Sequence, residues 1–124
     1  MSSDEIDKIL SRIGTKVNYI FPGDEKSQHG ILTDRSVFES QYGGAVPYWD
    51  VVDLIEFEGG KERECIRIGY YRKPRQNLNW GSQTTITETL SGWKGLLVKA
   101  AREKKWFRAL LDDVMSELEK SATH

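Results

Sequence analysis

The sequence predicts an α+β fold: a five-stranded antiparallel meander, as a curved sheet or partial barrel, with a short N-terminal helix and a long C-terminal helix. Three observations lead there. Apolar residues at helical spacing are confined to the two ends of the chain, and period-two alternation fills the middle. The connections between the alternating runs are short, which favours strands that pair in sequence order. At 124 residues, the whole chain (1–124) is expected to form a single domain with one ordinary core.

Residues 3–13 read as an amphipathic helix. Ser3 suits the N-cap, Asp4 and Glu5 suit the positive end of the helix dipole, and Ile6, Ile9, Leu10 and Ile13 share a face. Gly14 then fits the left-handed position that ends helices. Strands follow at residues 15–21, where Val17, Tyr19 and Phe21 alternate with polar neighbours, and at 30–38, with turn-rich loops at 22–27 and 41–47.

The clearest element is a hairpin. Residues 49–58 and 61–73 flank Gly59-Gly60, a dipeptide suited to tight hairpin turns. Two-residue closure sets Asp53 opposite Ile66, Val51 opposite Ile68 and Trp49 opposite Tyr70. That register gathers Trp49, Val51, Ile55, Phe57, Ile66, Ile68 and Tyr70 on the core face. Thr-rich residues 82–90 read as a fifth strand. Ser91 then caps a helix whose apolar stripe runs from Trp93 through Leu96, Leu97, Ala100, Phe107, Leu111 and Val114 to Leu118. With no Gly or Pro between Leu96 and Lys120, the stripe predicts one continuous helix, and a kink near Lys104-Lys105 is the alternative.

Charge is unevenly distributed. Residues 1–64 sum to −6, residues 65–108 to +8 and residues 109–124 to −3, within a net charge of −1. Within the basic part, Arg67, Tyr71, Arg72, Lys73, Arg75 and Trp80 interleave cations with aromatics. Proteins that hold single-stranded nucleic acid use this mixture, because cations neutralise phosphates while aromatic faces stack bases. The competing account is that the acidic strand 49–58 neutralises its basic neighbour 61–73, which leaves no surface to bind anything.

Asp53 is the polar residue whose alternation points the wrong way, onto the apolar face. A carboxylate there needs a partner, so it is either one half of a structural ion pair or an acid with a perturbed pKa and a catalytic use. The bland account is the stronger. No cofactor or metal is expected: His29 has no acid at a recognised ligand spacing, and the single Cys65 excludes a cysteine zinc cluster.

The expectation is therefore a non-enzymatic binding or interaction module of unknown function, with single-stranded nucleic acid at residues 70–80 as its candidate ligand. The alternatives are a protein-interaction or homodimerisation domain, with Trp106, Val114, Met115 and Leu118 as the contact, and a small acid/base enzyme built on Asp53. A monomer is expected ahead of a dimer, because the first helix offers cover for the apolar overhang of the last. The opening residues lack a basic and apolar leader, and no run approaches the ~20 apolar residues of a membrane span, so a cytoplasmic protein is expected.

Overall fold

The computed structural model describes residues 2–19, 28–40, 46–58, 64–73, 75–81 and 86–122. Its elements are α1 (Ser2–Leu10), β1 (Lys16–Tyr19), β2 (Gln28–Glu39), β3 (Tyr48–Phe57), β4 (Glu64–Arg72), β5 (Asn79–Trp80), α2 (Leu90–Glu103) and α3 (Lys105–Ala122). The strands form one antiparallel sheet in sequence order, curled into a half-barrel, as the meander pattern requires. The fold is α+β.

Helices cover the sheet from both sides. Within β3, Trp49, Val51, Asp53, Ile55 and Phe57 point one way, and α1 lays Ile9 against Val37, Trp49 and Val51 on that concave face. Ile6 and Leu10 pack beside Ile9, whereas Ile13 lies past the helix end and stays exposed. Gly14 ends the turn at a φ of 92°, the left-handed conformation its position predicts. On the opposite face, Val52 meets Leu96 and Ala100 of α2 and Phe107 of α3.

Several expectations are corrected. The hairpin pairs one residue out from tight closure: Asp53 lies opposite Arg67, Val52 opposite Ile68 and Trp49 opposite Tyr71. Because side chains alternate, this slip sends Ile66 and Ile68 to the other face, where they remain more than a third exposed, and brings Arg67 and Tyr71 into the concave face. Glu56 then faces Glu64 rather than a cation, while Asp53 faces Arg67, so cross-strand pairing cancels only part of the hairpin's charge. The Gly59-Gly60 turn lies outside the described residues.

The fifth strand is Asn79–Trp80, paired with Arg72 and Tyr71, and not residues 82–90. Residues 86–89 carry no strand pairing, and 82–85 lie outside the described residues. Thr89 caps α2 in place of Ser91, its hydroxyl accepting from the Gly92 N–H at 2.9 Å.

The long helix is not continuous: the alternative holds, with a break at Lys104, whose backbone is extended at φ −126° and ψ 115°. No Gly or Pro causes this; tertiary contacts do. The Lys104 N–H closes α2 on Ala100, and its carbonyl accepts from Phe107 and Arg108 to open α3. The Lys104 Nζ reaches Asp34 Oδ1 at 2.7 Å, and Trp106 Nε1 donates to Asp34 Oδ2 at 2.9 Å. Burial opposes the charge on Asp34, but these two donors and the Arg35 N–H hold its pKa below the usual carboxylate value. Trp106 is thereby tied to the sheet and is not an exposed anchor. Because α1 packs on the concave face and α2 and α3 on the other, the first helix does not cover the overhang of the last.

Candidate functional site

The concave face carries a buried ion network built on three neighbouring strands. Arg35 of β2 lies opposite Asp53 of β3, which lies opposite Arg67 of β4. Arg35 reaches this face because β2 has a bulge between Leu32 and Asp34. The extra residue, Thr33, resets the alternation, so Leu32 and Arg35 face α1 while Asp34 turns toward α3. Without the bulge, Arg35 would point away from Asp53.

The carboxylate is fully engaged. Arg35 Nε donates to Asp53 Oδ1 at 2.6 Å and Arg35 Nη2 to Oδ2 at 3.0 Å, a bidentate pair. Arg67 adds Nε and Nη2 to the same Oδ2, at 3.1 and 2.9 Å. Arg35 Nη1 then donates to the Ile9 carbonyl at 3.0 Å and to the Tyr71 hydroxyl at 2.8 Å, which ties α1 to the network. Asp53 and Arg35 are 0% and 1% exposed. Burial disfavours the charge on Arg35, yet Asp53 and Tyr71 outweigh that and hold its pKa above the ordinary value. The cations also meet aromatic faces: Arg67 sits 4.6 Å from the Trp80 ring centre and Arg35 5.2 Å from that of Tyr71. Gly69 makes room for this stack, since a Cβ there would overlap the Trp80 ring.

Above the network opens a cavity of about 560 Å³. Its wall brings Lys8 of α1, Arg12 of the turn that follows, Lys16 of β1 and Arg35 and Arg67 together with Tyr71, Trp80 and Leu78, and among the described residues it includes no acid. Asp53 neutralises one of these charges from behind. The remainder form a cationic hollow on a chain whose net charge is −1. Arg67 offers it a side chain that is 22% exposed, with Nη1 making no hydrogen bond among the described residues.

The six residues expected to bind nucleic acid divide by strand parity. Arg67, Tyr71 and Trp80 enter the concave site. Lys73 points the same way but is paired with Glu5 Oε1 at 2.5 Å. Arg72 is exposed on the opposite face, and Arg75 is exposed in the loop before β5. Lys8, Arg12, Lys16 and Arg35 come from the half of the sequence that reads as acidic, so a sum over segments hides them. Two local signals were available: Lys8 and Arg12 are four apart on the polar face of the helix expected over 3–13, and Arg35 is the one cation of β2.

A second acidic site lies on the α2 side. Asp50, 2% exposed, sits beside Glu88, which also receives the Ser40 hydroxyl. Burial first, then hydrogen bonding and repulsion from Glu88, push the Asp50 carboxyl up to about 8. Its Oδ2 has no hydrogen-bond partner among the described residues. Alternation hid this pair, because Glu88 is distant in sequence and lies in a segment read as strand. Among the described residues no group of His, Cys, Asp and Glu is arranged to hold a metal ion.

Comparison with protein-family models, with curated proteins and with solved structures returned no match.

Proposed function

We propose that this chain is a binding module that takes single-stranded nucleic acid in the concave cationic cavity. One observation carries the reading: Lys8, Arg12, Lys16 and Arg67 converge on a hollow whose wall holds no acid among the described residues and has Tyr71 and Trp80 beside them. Cations of that kind gain affinity by releasing counterions from phosphates, and an aromatic platform adds sequence-tolerant stacking. The binding surface is thus the hollow between α1 and β4–β5, not residues 70–80 as a linear segment. A proton-transfer role for Asp53 has less support, because both its oxygens are occupied by guanidinium N–H groups. Among the described residues no helix is long and apolar enough to cross a membrane. Together with the lone free Cys65, this favours a cytoplasmic setting for the module.

The test is fluorescence anisotropy with a labelled oligothymidylate of about ten nucleotides. Binding should weaken with salt at a log–log slope of roughly −2 to −3, from about 0.7 per phosphate over three or four contacts. Lys8→Ala, Arg12→Ala and Lys16→Ala should each shallow that slope, since all three are exposed and leave the core intact. Trp80→Ala should remove a stacking contribution of ~1–3 kcal/mol. Arg72→Ala, on the far face, should change nothing. Absence of binding at low salt, or equal sensitivity to Arg72→Ala and Arg12→Ala, sinks the proposal.

A further inference from the structure

Beyond the break at Lys104, α3 keeps an apolar stripe that nothing in the described chain covers. Leu110, Val114, Met115 and Leu118 are 42%, 46%, 55% and 57% exposed. The spacing continues from buried Phe107 and half-buried Leu111 in steps of four and three, the seam of a two-helix pairing. We infer that α3 packs antiparallel against α3 of a second copy of this chain, about a two-fold axis near Val114.

Charge placement selects that occupant. Arg108, which within its own helix reaches Asp112 Oδ1 at 2.9 Å on a side chain 64% exposed, and Glu119 lie on the same flank of the stripe, close to three helical turns apart, on either side of Val114. A two-fold axis that reverses the helix returns each flank to itself. With Val114 at the axis, Leu110 meets Leu118 of the second copy, and Arg108 falls one position from its Glu119. Symmetry makes that ion pair twice, and the apolar stripe between the two pairs is self-complementary. A parallel two-fold pairing would instead set this flank against the opposite one and leave Arg108 and Glu119 about three helical turns apart. An anionic membrane is a poor occupant, because α3 carries more acids than bases.

Sedimentation velocity of the full chain across micromolar concentrations tests this. The expected mass is twice 14.2 kDa. Val114→Asp should return it to the monomer while leaving the circular dichroism spectrum unchanged, since Val114 lies outside the core. Arg108→Glu should weaken the dimer by about tenfold, the worth of two exposed pairs turned repulsive. Adding Glu119→Arg should restore it. A monomer at every concentration overturns the inference, as does a dimer indifferent to Val114→Asp. A double charge reversal that fails to recover affinity overturns the antiparallel register.

Discussion

Replacing Asp53 with Ala should cost on the order of 3–5 kcal/mol of folding stability, the usual result of stripping one partner from a buried ion cluster. The loss is not that of a single contact. Arg35 is 1% exposed, and with the carboxylate gone its guanidinium remains buried with only the Ile9 carbonyl and Tyr71 hydroxyl as acceptors. Asp53→Asn should be nearly as damaging, because the amide keeps the shape but presents N–H groups to N–H donors. Arg67→Ala should cost less, about 1–2 kcal/mol, since that side chain is 22% exposed and its removal leaves Asp53 still bidentate to Arg35. The ranking Asp53→Ala above Arg67→Ala, read from urea unfolding, is the discriminating outcome. Equal and small losses would mean that the network does not hold α1 to the sheet.

Asp53 was visible in the sequence as an anomaly, but its partners were not. Alternation along 49–58 placed the carboxylate on an apolar face, which holds. What alternation cannot supply is the register of the neighbouring strand, and here a one-residue slip decides everything. Two-residue closure at Gly59-Gly60 sets Ile66 opposite Asp53, and that register puts both isoleucines in the core. The folded chain leaves Ile66 and Ile68 partly exposed and satisfies the carboxylate with Arg67. Pairing a buried charge outweighs burying two half-covered aliphatics, since an unpaired carboxylate costs several kcal/mol. Arg35 was hidden for a second reason: the bulge at Thr33 exchanges the faces of everything after it, and a period-two reading has no way to insert it.

The architecture was legible where patterns are long. Strand order, the amphipathic first helix, the Gly14 stop and the phase of the last helix all follow from spacing. The errors fall where local propensity and tertiary contact disagree. Residues 82–90 have strand-forming composition, yet Trp80 takes the edge position beside Tyr71, their rings 4.9 Å apart, where it also lies over Gly69. Lys104 sits mid-helix by propensity, and its ion pair with Asp34 competes with continuation of the helix.

Stability should also fall as pH rises through about 8, and Asp50 is the reason. A carboxyl whose folded pKa is raised from 3.8 to about 8 keeps its proton in the folded chain while the unfolded chain releases it. Its contribution is therefore fully present below about pH 4 and is lost progressively up to about pH 8, the reverse of the usual carboxylate behaviour. The ceiling on that loss is on the order of 5 kcal/mol, at ~1.4 kcal/mol per unit of pKa. Asp34 and Glu103, whose carboxylates gain from Lys104 and Lys99, act in the opposite sense and lose their stabilisation only as pH falls below about 4. Both are a third or more exposed, so their effect is the smaller. The balance puts maximum stability in the mildly acidic range. Asp50→Asn mimics the protonated acid at every pH and should flatten the decline, making the variant more stable than the parent at pH 9 and, by only a minor part of that margin, at pH 5. Thermal melts at pH 5, 7 and 9 measure this directly. If parent and variant decline in parallel, Asp50 is ionised throughout and its burial beside Glu88 must be relieved in some other way.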